Sequence, residues 1–487
     1  MHPARVVADF SSSEKFLWDE APNISVKLTA TQTLAILLAF QLACHLLSLN
    51  VFFMNDEGTH VTGGWLLYKG RIPYKEFALL QYLPGTSLIA ASSYALLGPE
   101  LSSARLFLAA AMLLTTFMTF YLARKLYGEE EAIAASFAFV LLAPAFGSLI
   151  FLPEPLMAPL VLLLFICLYH FDKEGEAKWL FSSGIVCGIL VLLKIPGLAL
   201  LLVSLAFIIA RFFLTKGKPV RVLLECGEIL FGFSIPLILV LAWLSSLGAL
   251  GDAYIQVVVQ ILFKTNERLL SDPFDLAINL IILVIPAAYI WVAREDLRKG
   301  KRASLLLLLL ALGAMYAVVV RFQPNRVFHA LPLLSIMGGT LFVKYLDKSQ
   351  RRFICGFGVL FALALLTALW VASTRGTDLD NIRGFVLLRT TPSDTILITP
   401  YGHINYLLLK REPGYRYLGL GPWGQPDDVE PNAVLDLGQR KPKIVIYSKL
   451  PQWGKNFSEY EPLIDKYIWE HYKVESETEG LYFMVPK

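Results

Sequence analysis

Asn55-Asp56-Glu57-Gly58 is the stretch around which this chain is organised, because two adjacent carboxylates follow the first long apolar run, residues 29–51. Ionised groups at the edge of a membrane are costly unless they have partners or a task, so acids just beyond a span indicate a functional site. The alternative is a solvated loop that merely ends a helix. Position alone does not decide between the two interpretations.

The composition is that of a membrane protein. Of the 487 residues, 56% are hydrophobic and 17% are charged, and the mean hydropathy is +0.58, which is far more apolar than a soluble protein. The net charge of +4 does not indicate a nucleic-acid surface, because Lys and Arg cluster in short loops between apolar runs. All five cysteines lie in apolar runs without a Cys-x-x-Cys pair, so neither disulfides nor a thiolate metal site is predicted.

Apolar runs that are candidates for membrane spans, each of which needs roughly 20 residues, recur along the chain. They are 29–51, 103–123, 132–151, 155–170, 179–193, 196–213, 222–247, 275–293, 304–320, 327–345 and 353–373. A shorter run, 83–97, begins with Pro84-Gly85, and charge decides its placement. If it does not cross, the short loops hold seventeen Lys and Arg residues on the N-terminal side and five on the other. Crossing would invert this positive-inside bias.

The charge bias therefore predicts a polytopic α-helical membrane protein of about eleven spans. Its parts are a cytoplasmic N-terminal segment (1–28), a transmembrane domain (29–374) that starts with a retained signal anchor, a long outer loop (52–101) with interfacial helices, and an outer α/β domain (375–487). In that last domain the pattern predicts strands at 395–399, 443–447 and 480–485 and a helix at 457–473.

Two tight turns bring ionisable residues to the same predicted outer face as Asp56. Glu154 lies between Pro153 and Pro155, where its carboxylate has no partner in its own helix and points into an outer cavity. The alternative is a surface acid. Lys194 lies in another tight turn, where its ammonium either snorkels to water or binds an anion.

A further group, Arg321, Arg326 and His329, lies on the side where positive charge is otherwise scarce. It is either an interfacial anchor or, with Lys194, an anion site, because Arg and Lys both bind phosphate oxygens. Carboxylates and cations on one face suit a reaction in which a carboxylate deprotonates an acceptor and the cations stabilise a leaving phosphate. These residue types permit substitution at a sugar carbon through an oxocarbenium-like transition state.

Several short motifs carry a resemblance to a known family. They are Asp56-Glu57-Gly58, Tyr68-Lys69-Gly70, Pro73-Tyr74-Lys75-Glu76-Phe77, Gln81-Tyr82-Leu83-Pro84-Gly85, Arg105-Leu106 and the turn at Glu154. The pattern resembles the GT-C membrane glycosyltransferases, in particular the protein mannosyltransferases and the aminoarabinose transferases. Such enzymes are many-span bundles with an acidic first outer loop and often an outer C-terminal domain.

The resemblance implies a sugar donor linked to polyprenyl phosphate and transfer, with inversion at the anomeric carbon, to a lipid, glycan or protein acceptor outside the plasma (inner) membrane. Asp56 then resembles the catalytic base, Glu57 its neighbour in the motif and Glu154 the acid of the second outer loop. The expected substrate-loop residues are Lys75, Gln81 and Tyr82. The expected donor-phosphate residues are Lys194, Arg321, Arg326 and His329.

Some members of this class hold a divalent cation. Asp56, Glu57 and Glu154 could supply oxygen ligands to Mg²⁺ or Mn²⁺, but no His or Cys spacing marks a dedicated site, so metal dependence stays open. Two other functions compete with the glycosyltransferase: a transporter or flippase of a lipid-linked saccharide, and a non-catalytic receptor. A transporter is expected to place polar groups near mid-membrane, whereas the acids of this chain gather at one edge.

Overall fold

The computed structural model describes residues 29–51, 56–79, 82–215, 219–259, 273–320, 324–374, 379–400, 402–418, 420, 428–452, 454–478 and 480–487. The helices of its membrane part are α1 (Ala30–Ser48), α2 (Asp56–Tyr68), α3 (Gly85–Leu97), α4 (Leu101–Leu126), α5 (Glu129–Leu142), α6 (Pro153–Glu174), α7 (Ala177–Leu193), α8 (Leu198–Thr215), α9 (Pro219–Ser246), α10 (Leu250–Tyr254), α11 (Pro273–Arg298), α12 (Ala303–Val320), α13 (Leu331–Tyr345) and α14 (Lys348–Thr374).

Helices occupy every run that the sequence predicts as a span. Within the described residues, seven helical segments are both long and apolar enough to cross a membrane. They are Ala30–Ser48, Leu101–Leu126, Pro153–Glu174, Ile195–Thr215, Pro219–Ser246, Asn325–Tyr345 and Lys348–Ser373. The polytopic α-helical fold is therefore confirmed.

Two features of the bundle follow from local sequence. Helix α1 begins at a capping box, in which Thr29 Oγ1 accepts from the backbone N–H of Gln32 (3.2 Å) and Gln32 Oε1 accepts from the N–H of Thr29 (2.9 Å). Helix α5 is shorter than the predicted run 132–151, because Pro144 opens a 3₁₀ turn over Ala143–Phe146.

The predicted loop 52–101 contains two short helices, and they have different environments. Helix α3 has 13 residues, about 20 Å of helix, which is too short for a hydrocarbon core of roughly 30 Å. Its Leu96 is exposed, as expected of an interfacial helix. Helix α2 is instead buried over most of its length, because α3, α4 and the C-terminal domain cover it. Sequence alone did not predict that burial.

The C-terminal domain has a five-stranded sheet in the order β2-β1-β3-β5-β4. Strands β1, β2 and β3 are parallel, and β5 runs antiparallel to both β3 and β4. The strands are β1 (Thr395–Thr399), β2 (Glu412–Pro413), β3 (Ile444–Ser448), β4 (Tyr472–Thr478) and β5 (Leu481–Pro486). The helices are α15 (Leu379–Arg389), α16 (His403–Leu409), α17 (Val429–Arg440), α18 (Phe457–Tyr460) and α19 (Pro462–His471).

The sheet lies between two apolar layers. Alternate residues of β1, such as Ile396 and Ile398, belong to the core that also contains α2 and the membrane helices, whereas Leu397 belongs to a separate core with α17 and α19. This alternation is the period of two expected of a strand. One face of the domain is thus packed against the membrane part, and the other is covered by its own helices.

The predicted helix at 457–473 is wrong in its extent. Pro462 begins α19, so the segment divides into α18 and α19, and from Tyr472 the chain continues as strand β4. β4 is an edge strand that exposes six of its seven residues, with charged side chains among them. Such polar edges protect a sheet from further pairing, and they give little strand signal in a sequence.

Candidate active site

Helix α2 begins at the acidic motif and presents its two carboxylates to different surroundings. Asp56 is the first residue of the helix and is exposed, whereas Glu57 is completely buried. Successive residues of an α-helix point about 100° apart, so neighbours in sequence face different partners.

Glu57 forms a buried ion pair with Arg105 of α4. Arg105 Nε donates to Glu57 Oε1 over 2.9 Å, and its Nη2 donates to Oε2. The backbone N–H of Phe151 also donates to Oε1, over 2.9 Å. Both oxygens of the carboxylate are therefore occupied.

Arg105 also binds the end of the first span. Its Nη1 donates to the carbonyls of Ser48 (2.7 Å), Leu49 (3.1 Å) and Val51 (2.7 Å), groups that a helix C-terminus leaves without an intrahelical donor. Arg105 thus fixes the end of α1 relative to the start of α2, where Asp56 lies. The motif Arg105-Leu106 was noted in the sequence, but nothing there revealed this role.

Glu154 is the second residue of α6, where the positive end of the helix dipole favours a carboxylate. It is only 2% exposed. Its Oε1 accepts from Nζ of Lys194, and this ion pair joins the start of α6 to the end of α7. Of the two interpretations of Lys194, an anion partner rather than snorkelling describes this structure.

Lys194 is held by close packing between α3 and α7. Thr86 Oγ1 donates to the carbonyl of Leu193 over 3.3 Å. A Cβ on Gly85 would lie 2.5 Å from the carbonyl oxygen of Leu192, so only glycine permits this approach. The Pro84-Gly85 motif thereby positions the turn that carries Lys194.

Three other predicted site residues lie close enough to Lys194 to interact with it electrostatically. Burial lowers the pKa of Lys194, and Arg326 acts in the same direction. Glu154 and Asp56 raise the pKa and so oppose this shift. Two carboxylates and two cations from four distant parts of the chain therefore share one region.

His60 belongs to the same region and was not identified from the sequence. It lies on α2 one turn after Asp56, and i,i+4 residues share a helix face. Its ring meets that of Tyr82 edge to face, with centroids 4.7 Å apart. Burial lowers the pKa of His60 to about 3, with Glu154 raising and Lys194 lowering it. The spacing from Asp56 was the available signal.

His329 lies in the 3₁₀ helix Pro324–Ala330, which also carries Arg326. The ring is 2% exposed and interacts electrostatically with Glu154 and Lys194. Asp56, Glu154, Lys194, Arg326 and His329 are the predicted site residues that the structure brings together.

The other predicted site residues have different positions. Tyr82 contacts His60, as described above. Lys75 is exposed, with Nζ close to the turn at Gly248 that follows α9. Gln81 and Arg321 lie outside the described residues.

The C-terminal domain covers the start of α2. Thr62 Oγ1 donates to the carbonyl of His403 over 2.5 Å, and a Cβ on Gly58 would lie 2.3 Å from the backbone nitrogen of Ile404. Farther along, Glu412 pairs with Lys69 and with Arg71 (2.9 Å). The glycine of the acidic motif is thus the point at which α16 crosses α2.

The carboxylates do not form a ready cation site. Glu57 is occupied by Arg105 and Phe151, and Glu154 is paired with Lys194. Among the described residues, no group of three or more His, Cys, Asp or Glu side chains is arranged to hold a metal ion.

The fold and the site define an integral multi-pass membrane protein in which ionisable groups gather beneath the C-terminal domain. Residues 83–245, one third of the chain, match the family model described as dolichyl-phosphate-mannose-protein mannosyltransferase. This segment contains Arg105, Glu154 and Lys194. No curated protein sequence matches the chain.

Solved structures share the fold across nearly the whole chain. ArnT from Cupriavidus metallidurans, bound to undecaprenyl phosphate, has 14% identity and a TM-score of 0.63, covering 94% of this chain and 98% of that one. The apo form of the same protein has 14% identity and a TM-score of 0.64, and the match covers 93% of this chain and 98% of that one. The apo oligosaccharyltransferase of Archaeoglobus fulgidus has 13% identity and a TM-score of 0.51, and the match covers 93% of this chain and 74% of that one. This chain is thus similar in one third of its sequence to the mannosyltransferase family model, and in its fold to ArnT and the oligosaccharyltransferase.

Proposed function

We propose that this protein moves a sugar from a polyprenyl-phosphate-linked donor to an acceptor on the outer face of the membrane, with inversion at the anomeric carbon. The observation that carries the proposal is the buried ion pair of Glu154 and Lys194, on which Asp56 and Arg326 act electrostatically. The mannosyltransferase match supports a lipid-phosphate donor, and ArnT bound to undecaprenyl phosphate is a relative of the same fold.

In the proposed orientation the N-terminus is cytoplasmic and the C-terminal domain lies outside the plasma membrane. The excess of Lys and Arg in the loops of the N-terminal side supports this orientation. The contacts of His403 and Ile404 with α2 agree with an outer position for both parts, because they join the C-terminal domain to the helix of the acidic motif.

Asp56 is the proposed general base. It is exposed at the start of α2, whereas Glu57 is held by Arg105 and serves to position the helix. In the reaction, Asp56 takes the proton of the acceptor nucleophile, which forms a bond to the anomeric carbon. The bond from this carbon to the phosphate oxygen breaks on the opposite face, and its electron pair stays on the phosphate.

The proposed role of Lys194 and Arg326 is to compensate the negative charge that the phosphate gains during the reaction. The donor is a phosphodiester with one negative charge, and the leaving polyprenyl phosphate is a monoester with about −1.5 to −2 at pH 7. Lys194 and Arg326 stabilise this added charge as it develops, which is the usual contribution of preorganised cations to such a step. Glu154 orients Lys194 through their ion pair.

The test is Asp56→Asn, which keeps the size of the side chain and removes the base. We expect transfer to fall by roughly 10²–10⁴-fold, while the affinity for undecaprenyl phosphate stays unchanged because the cations are intact. Transfer is measured in vesicles against a panel of labelled polyprenyl-phosphate sugars. Asp428→Asn, an exposed position of the C-terminal domain, is the matched control and retains activity. Full activity of Asp56→Asn would exclude Asp56 as the base.

A further inference from the structure

His329 carries a buried nitrogen whose bonding is incomplete. Its Nδ1 is buried and has no hydrogen-bond partner among the described residues. Leaving such an atom unpaired costs about 1–3 kcal/mol, and an unpaired buried polar group in a native structure calls for an explanation. Beside a reaction site, the explanation is a partner that arrives with a ligand or a water molecule.

The hydrogen bond of the second ring nitrogen, Nε2, determines whether Nδ1 is a donor or an acceptor. His329 has a hydrogen-bonding interaction with the backbone of Ala314 in α12. The N–H of Ala314 is used within its helix, so the available group is the carbonyl, which has a second lone pair. Because Nδ1 is unpaired, Nε2–H is the group that donates to this carbonyl. In a neutral ring Nδ1 is then an acceptor.

Burial favours the neutral ring, because a charged imidazolium would lose its hydration. A protonated ring would also add a second cation beside the ion pair of Glu154 and Lys194, whose charges already balance. A neutral ring with an accepting Nδ1 cannot donate to a phosphate oxygen. His329 therefore differs from Lys194 and Arg326, with which the sequence grouped it as a phosphate residue.

We propose that Nδ1 of His329 accepts a hydrogen bond from a hydroxyl group of the donor sugar and so contributes to the choice of sugar. The inference rests on the proposed function, in which the sugar is bonded to the phosphate that Lys194 binds. A site built to bond a hydroxyl rejects analogues without it strongly, since the buried polar atom is then left unpaired.

The test compares lipids with and without a sugar on the phosphate. Undecaprenyl phosphate, and undecaprenyl phosphate carrying mannose, glucose or galactose, are titrated against the full-length protein in nanodiscs. His329→Phe keeps a flat ring without the acceptor, His329→Asn keeps an acceptor near the position of Nδ1, and Lys194→Met removes the ammonium.

We expect His329→Phe to weaken binding of the best-bound sugar lipid roughly tenfold and to leave binding of bare undecaprenyl phosphate unchanged, which also serves as the control for folding. His329→Asn retains most of the affinity for the sugar lipid. Lys194→Met weakens the binding of both the sugar lipid and bare undecaprenyl phosphate. Equal losses for both lipids with His329→Phe would show a phosphate contact, and no loss for either would show a water partner. Each result overturns the assignment.

Two results separate this inference from the proposed function. If His329→Phe loses no affinity for the sugar lipids while Asp56→Asn still lowers transfer, the sugar contact alone is overturned. Binding of neither kind of lipid by the wild-type protein would overturn the proposed function and the sugar contact together.

Discussion

The carboxylate of Glu57 accepts from Arg105 and from the backbone of Phe151, and so it holds the start of α2 in place. Removing one partner of a buried ion pair costs about 3–5 kcal/mol, because the other charge is left uncompensated. Loss of activity on substitution of Glu57 would therefore reflect the position of α2, whereas loss at Asp56 would reflect the reaction.

Glu461 gives a prediction for pH dependence in the C-terminal domain. It is 2% exposed and precedes α19, and Glu430, Tyr415 and Tyr460 face it. Burial, with Glu430 adding to it, raises its pKa from 4.5 to about 8. Between these values the folded protein binds a proton that the unfolded chain releases, so stability falls as the pH rises through this range and levels off above it.

Glu461→Gln removes this titration. We expect the Tm of the wild-type protein to fall between pH 4.5 and 8, with a clearly smaller slope in the variant, as measured by thermal unfolding across the range. Glu459→Gln, two positions away and exposed, is the matched control and keeps the wild-type slope. Identical slopes for the wild type and Glu461→Gln would show that Glu461 is not protonated in the folded state.

The sequence predicted which site residues share a face, but not their pairing. Lys194 and Glu154 each came from a tight turn between apolar runs, and the positive-inside rule placed both turns together. That they bind one another depends on the packing of Gly85 against α7, and a pattern of apolar runs contains no such information. The same holds for His60, because burial creates its environment.

Among the elements, α2 has the most constrained surroundings, and Gly58 offers a test of them. In Gly58→Ala the new Cβ would lie 2.3 Å from the backbone nitrogen of Ile404, so α16 must move away from α2. We expect a loss of about 1–3 kcal/mol, a lower Tm and reduced transfer, measured together on the purified protein.

Gly227→Ala on α9 is the control for this substitution. A Cβ there meets nothing within 4 Å, and alanine favours a helix over glycine by about 1 kcal/mol. Its Tm is expected to stay level or rise. If Gly58→Ala behaves in the same way, the close crossing of α16 over α2 is wrong.

Elements with a strong apolar period were predicted well, and those whose form depends on neighbours were not. Strands β1 and β3 are apolar and buried, so the sequence revealed them. Strand β4 is polar, and it forms because it pairs with the neighbouring strand β5. Likewise, the burial of α2 beneath the C-terminal domain arises from residues far away in sequence.

At the scale of the whole molecule, the orientation can be tested by labelling. In a variant without the five native cysteines, Lys473→Cys on β4 and Lys301→Cys between α11 and α12 are both exposed. An impermeant maleimide is expected to label position 473 in intact cells and position 301 only after permeabilisation. The reverse pattern would place the C-terminal domain, and the site beneath it, on the cytoplasmic side.

The contact of α16 with Gly58 has a consequence for biosynthesis. Ribosomes make the acidic motif early and residues 403–412 more than three hundred positions later, so α2 must wait in the membrane without its cover while every later span is inserted. A nascent chain that stops before this point would carry its proposed catalytic acid and most of its bundle, yet it would lack the surface that holds the acid's helix. Assembly of the site therefore waits for the synthesis of the C-terminal domain.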